Sequence, residues 1–330
     1  MCNGSIMDKL VSFALPLMLS GILQLMFNAV DIIVVGRFSG SEALAAVGST
    51  TALINVFTNL FIGISLGANV LAARFFATGR KEEMSETVHT SITLALISGI
   101  LMAFVGLVFS KGALELMGTP EDVIGLSTLY MQIYFMGMPF FMLYNYGAAI
   151  LRAVGDTKRP LYFLIIAGVI NAGLNMVLVI VFGLGVAGVG IATVFSQMVS
   201  CVLVLTCLCR TEGSYKLSFS KLSMKGYYLK QIFQVGIPAG IQSTVINFSN
   251  ALLQSSVNSF GSTAMAGYTA ANNILGFLYV SINSVTQACM SFTSQNYGVG
   301  KWKRMDRVLV DCLILSTTIA LILGGGAYLF

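Results

Sequence analysis

Ser20, Gln24, Asn28 and Asp31 interrupt the largely apolar run from Val11 to Val35. Their spacings of 4, 4 and 3 put them on one face of a helix. A carboxylate at the centre of a bilayer-spanning helix costs about 2.5–3.5 kcal/mol on insertion scales, so Asp31 calls for a chemical role. A second stripe, Ser243, Asn247, Asn250, Gln254 and Asn258, follows Pro238 much as the first follows Pro16. Each proline removes a backbone hydrogen bond and permits a kink. Two such stripes suggest a water-accessible cavity lined by both; the alternative is interhelical hydrogen-bond glue.

Further polar groups recur at a similar depth. Asn171 and Asn175 form an i, i+4 pair, and Thr193 lies on the following span. At about 1.5 Å per residue, Asp31, Asn175 and Thr193 all fall in the outer half of their spans, within roughly one turn of each other. One carboxylate with amide and hydroxyl oxygens can hold a proton or a hard monovalent cation such as Na+. The plainer alternative is that each asparagine satisfies a nearby backbone group. Tyr134 and Met138 belong to `YMQIYFMGMPFFMLYNYG` (130–147). Its methionines and aromatics suit either an adaptable pocket for lipophilic cations or ordinary packing.

The elements that must position these groups follow from composition. Only 9% of the 330 residues are charged and the mean hydropathy is +0.86. Soluble domains carry about 25% charged residues, which excludes a soluble protein. Nine apolar spans are predicted, at 10–36, 43–73, 88–109, 124–152, 160–182, 186–209, 229–258, 264–297 and 307–328, giving an all-α polytopic membrane protein. Short connections make sequential spans antiparallel neighbours. The one long connection is polar and basic and reads as a linker. The expected organisation is a six-helix lobe over 1–210, a linker over 211–228, and the first three helices of a second lobe over 229–330.

All 18 lysines and arginines except Arg37 and Lys111 fall on the side of the N-terminus and the linker. The positive-inside rule makes that side cytoplasmic, in a multi-pass cell-membrane protein, with a bacterial cytoplasmic membrane expected. The net charge of +5 lies in loops rather than on one face, so no nucleic-acid partner is implied. Six cysteines form no CxxC pair and read as small apolar packers. His89, the single histidine, is expected at the surface, at the start of the third span. `GLGVAG` (183–188) matches GxGxxG but sits in a hairpin between two spans, so it is not a nucleotide loop. `GISLG` (63–67) and `GIPAG` (236–240) have GxxxG spacing, which permits close helix approach. Within the spans no HExxH, paired carboxylates or Ser/His/Asp set occurs, so an intramembrane enzyme has little support. No cofactor is implied beyond a coupling ion.

An internal repeat is visible. `ALPLMLSG` (14–21) matches `GIPAGIQS` (236–243) at an offset of 222, and `GSEALAAVG` (40–48) matches `GSTAMAGYT` (261–269) at 221. `FFATGRKEEM` (75–84) matches `NYGVGKWKRM` (296–305) at 221, pairing Gly79 with Gly300. With six spans before the linker, the two copies face the same way, which is a parallel repeat. Only three spans follow the linker, so a chain of roughly 440 residues is expected by doubling the repeat.

The chain resembles the multidrug and toxic compound extrusion (MATE) transporters. The residues that carry the resemblance are `VDIIVVGRFSGSEALAAVG` (30–48), `LRAVGDTKRP` (151–160), `NAGLN` (171–175) and `GVAGVGIATVFSQ` (185–197). The likeness runs over the whole chain, as the first nine of the family's twelve helices. It implies a cation-coupled antiporter, driven by H+ or Na+, built from two six-helix lobes around a cleft. In the branch with a coupling site in the first lobe, the resemblance makes Asp31 the acid, Asn171, Asn175 and Thr193 its partners, and Pro16 the bending point. Gln24, Asn28, Asn247, Asn250, Gln254, Tyr134 and Met138 are then candidates for the cavity wall. Where the family frequently has a second aspartate this chain has Asn175, which weakens a sodium site and leaves proton coupling open. The other branch's glutamate position is occupied by Ile246. The expected partners are small organic compounds, cationic or amphiphilic, and the lipid bilayer, with a monomer as the working unit. The alternative is a flippase for a lipid-linked sugar, which predicts a cationic central cavity.

Overall fold

The computed structural model describes residues 1–258 and 262–329, and every regular element among them is helical. In chain order these are α1 (Ile6–Phe38), α2 (Ser41–Ala77), α3 (Lys81–Leu116), α4 (Glu121–Met136) and α5 (Met138–Ala153). They continue with α6 (Lys158–Asn175), α7 (Gly185–Arg210), α8 (Gly226–Asn258), α9 (Ser262–Gly298) and α10 (Trp302–Leu329). In a bilayer each backbone group must be satisfied internally, which is why so apolar a chain resolves into long helices. Seven segments are individually long and apolar enough to cross a membrane, and the α4–α5 pair makes an eighth. Among the described residues α8 is the expected span outside that set, its amide stripe lowering its hydropathy.

Two spans differ from straight rods. The segment expected as one helix at 124–152 is broken at Gly137, where α4 and α5 meet at 46°. Pro139 follows at the start of α5, where a missing N–H is tolerated. The span expected at 160–182 changes after Asn175 into a π-helical turn, Met176–Val181. Such turns insert where neighbouring side chains displace the regular backbone ladder, and they recur at functional sites.

The glycine spacings noted in the sequence mesh with each other. A Cβ on Gly63 would lie 2.2 Å from the Gly240 Cα, and one on Gly67 2.1 Å from the Ile232 carbonyl oxygen. A Cβ on Gly236 would come within 2.5 Å of the Ile64 Cα. The backbones of α2 and α8 therefore cross in direct contact, a packing only glycine permits. The matched pair Gly79 and Gly300 also share a conformation, with φ of +67° and +69°. Each ends its helix with the same closing bonds, Arg80 N–H to Phe75 O (3.2 Å) and Lys301 N–H to Asn296 O (2.9 Å).

One core fills the first six spans, and a second joins α1 to α9 and α10 through Leu10, Phe13, Val285, Ala288, Phe292 and Val308. The latter lies near the end of the bundle that carries the basic loops. Towards the opposite end Gln24, Asn28, Asn250, Ile274 and Leu275 are exposed.

The linker is docked rather than free. His89, expected at the surface, is only 2% exposed because the linker covers it. Its Nδ1 lies 2.7 Å from the Ser85 carbonyl, and the Ser218 N–H donates to its Nε2 at 3.1 Å. That pair of bonds requires a neutral ring with the proton on Nδ1. Nearby, the Lys225 Nζ meets Glu86 at 2.9 Å. Replacing His89 by alanine is expected to speed limited proteolysis within 211–225 several-fold, since a bond worth about 1 kcal/mol is lost. Unchanged cleavage rates in that variant would contradict the anchoring.

Candidate functional site

The site is built where α1 packs on α6. A Cβ on Gly168 would fall 1.9 Å from the tip of the Phe27 ring, so glycine there lets that ring reach the α6 backbone. One turn beyond Phe27, Asp31 meets Asn175 at the last turn of α6. Depth along separate helices put these residues level in the sequence; the Phe27–Gly168 contact brings them together.

Asn175 is fully buried and donates through Nδ2 both to the Asp31 carboxylate and to the Asn171 Oδ1, the latter at 3.2 Å. Its own Oδ1 is buried without a hydrogen-bond partner among the described residues. Asn171 is 5% exposed. Thr193, on α7, donates its hydroxyl to the Val189 carbonyl at 2.9 Å, and its side chain also stands against Asp31. The acid is thus flanked by α6 and α7, with α4 close by through Tyr130 and Tyr134. Those two rings lie 6.2 Å apart. The plainer alternative, in which each asparagine merely satisfies backbone, does not describe Asn175, whose amide bonds are to side chains. A buried orphan amide oxygen beside a carboxylate and a hydroxyl supplies the hard oxygen donors that a proton or a small monovalent cation takes.

Other expected residues distribute differently. Pro16 lies inside α1, and Ser20 donates to its carbonyl at 2.8 Å. Asn247 and Ser243 bond to their own helix, at 2.8 Å to Ser243 O and 3.1 Å to Ala239 O. Gln24, Asn28 and Asn250 are exposed. The side chains of Gln254 and Asn258 lie outside the described residues. Met138 does not line a cavity: it is 1% exposed in the first core, because the Gly137 break turns the start of α5 inward. Tyr134 stays half-buried beside Gln197, whose Oε1 is a second buried acceptor without a partner. Tyr130, Gln197, Phe27 and Gly168 were not singled out from sequence, since nothing in helical spacing distinguishes them from packing residues.

Residues 16–177 and 238–330 match the MatE family. The chain belongs to that family. As a MatE member it is a multi-pass membrane transporter and not an enzyme. The probable multidrug resistance protein YoeA of Bacillus subtilis (strain 168) is 32% identical over 314 residues, covering 92% of this chain and 67% of that one. A FAD transporter of Shewanella oneidensis is 24% identical over 308 residues, covering 91% and 67% respectively. Among solved structures, a MATE in the straight conformation superposes with a TM-score of 0.90 at 24% identity, over 97% of this chain and 72% of that one. MatE thus accounts for the all-helical fold. The gap in the family match, between 177 and 238, includes α7 and the linker.

Proposed function

We propose that this chain exports small organic, amphiphilic compounds in exchange for a proton or sodium ion taken up at Asp31. The observation that carries the reading is the Asp31 carboxylate held between the buried Asn175 amide and Thr193 on neighbouring helices. The multidrug resistance names of its bacterial relatives support the cargo class. In the proposed cycle a cation from the outer side neutralises Asp31, α1 changes its bend near Pro16, and cargo leaves outward. Asn171, Asn175 and Thr193 supply neutral oxygens, so the bound form carries no net charge at the site. A sodium ion would use several of these oxygens at once, whereas a proton needs only the carboxylate. The amide-lined stripes offer no cations for a phosphate headgroup, so the lipid-linked-sugar alternative gains nothing from the geometry.

The test is efflux of a fluorescent dye from proteoliposomes, with pH and sodium gradients imposed separately. One gradient is expected to drive efflux well above the protein-free rate. Efflux indifferent to both gradients would overturn ion coupling, and no efflux of any tested amphiphile would overturn the cargo class. Pro16→Ala restores a backbone donor and stiffens α1. Its expected effect is slower efflux at unchanged protein yield, read in the same assay.

A further inference from the structure

A groove of about 540 Å3 runs along the start of α8 from Gly226, past Leu229, Lys230, Phe233, Gln234 and Ile237, to Pro238. Steps of three and four residues put these positions on one stripe of the helix. The stripe is turned away from the ridge of Ile232, Gly236 and Gly240 that packs on α2, so the crossing leaves it open. Phe233 rests against the first core and floors the groove, whereas Lys230, Gln234, Ile237 and Pro238 are exposed. Pro238 lies inside the helix and lacks the N–H that would bond the Gln234 carbonyl.

The groove is cationic at its mouth and apolar further in. Residues 213–230 carry four lysines, Lys216, Lys221, Lys225 and Lys230, and no acid. Lys225 is engaged by Glu86; among the described residues the other three form no ion pair. From Lys230 the Gln234 amide lies one turn, about 6 Å, further from the basic end, and Ile237 about 10 Å. A cation, then an amide donor, then an apolar wall is the order in which a phospholipid presents its phosphate, ester carbonyls and acyl chain. The repeat supplies a contrast. At the offset of 222, α1 presents Val11, Ser12 and Leu15 at the equivalent positions, and its Val11 and Leu15 are 41% and 51% exposed. Asp8 stands where α8 has Lys230. An open apolar face at this depth is therefore common to both copies, and the cation above it is particular to α8.

We propose that this groove binds one anionic phospholipid. Its phosphate meets Lys230, an ester carbonyl accepts from the Gln234 amide, and an acyl chain lies along Phe233 and Ile237. Lipid binding here does not depend on the export reading.

The full chain, delipidated in detergent, is offered equal amounts of phosphatidylglycerol and phosphatidylcholine and analysed by native mass spectrometry. One phosphatidylglycerol is expected to be retained in preference to phosphatidylcholine. Lys230→Gln is expected to weaken that retention about fivefold, the worth of one lysine near an anionic headgroup. Lys303→Gln, at an exposed lysine of α10, is expected to leave it unchanged. No retained phosphatidylglycerol, equal retention of the two lipids, or equal loss in both variants would overturn the site. A second measurement locates the acyl chain. Trp302 is the only tryptophan, so a Trp302→Phe/Phe233→Trp protein carries its single indole in the groove. In phosphatidylcholine vesicles, a minor fraction of phosphatidylglycerol brominated on its acyl chains is expected to quench that indole more strongly than the same fraction of brominated phosphatidylcholine. Equal quenching by the two would remove the acyl chain from the groove, and an excess that survives Lys230→Gln would remove the lysine from the site.

Discussion

Proteoliposomes carrying Asp31→Asn are expected to lose gradient-driven efflux, falling to the rate of protein-free vesicles, while protein yield and thermal stability stay near those of the parent. The reasoning separates two roles of one side chain. As a hydrogen-bond acceptor, the Asp31 carboxylate receives the Asn175 amide proton. An asparagine oxygen can accept the same bond, so local packing persists. As the group that takes up a cation, the carboxylate has no substitute, because an amide stays neutral and exchanges no proton. Asp31→Ala provides the contrast. It removes one of the two acceptors of the buried Asn175 amide, leaving an N–H unpaired, and a buried polar group left unpaired costs about 1–3 kcal/mol. The alanine form is therefore expected to be both inactive and less stable, and the asparagine form inactive alone. Gradient-driven efflux by Asp31→Asn at the parent rate would remove Asp31 from the mechanism.

The second large effect concerns the α2–α8 crossing. Gly67→Val places a branched side chain where even a Cβ lies 2.1 Å from the Ile232 carbonyl oxygen. That neighbour is backbone and cannot rotate away, so the helices must separate. Overpacking a well-fitted core costs about 1–3 kcal/mol even when side chains can yield. The expected result is a sharp drop in folded yield in detergent, read by size-exclusion chromatography and thermal melting. Gly125→Ala in α4 is the control: nothing lies within 4 Å of its added carbon, and alanine favours helix over glycine. A Gly67→Val protein as stable as the control would mean that the crossing is not the contact holding the copies together.

Much of this was legible in the sequence. Hydropathy is a sum over local residues, so nine long helical segments and the polar linker follow from composition and spacing alone. The Asp31 stripe was equally visible, because 3.6-residue periodicity is a local property. Individual residues show where local reading stops. His89 looked like a surface residue at a helix start, and only the returning linker buries it. Met138 lay in a segment that suited a pocket as well as a core, and the 46° break at Gly137 decided for the core. The π turn after Asn175 leaves no pattern in its own residues.

The sequence by itself determined which residues could bear charge or hydrogen bonds inside a membrane, and roughly how deep each one sits. Tertiary structure decided which of them meet. Asp31 and Asn175 are 144 residues apart, and Asn69 and Ser291 are 222 apart. Each pairing depends on how closely two helices can approach. That distance is set by missing side chains, at Gly168 under Phe27 for α1 and α6 and at Gly298 against the Arg74 carbonyl for α9 and α2, and a missing side chain matters only once the surface it faces is known.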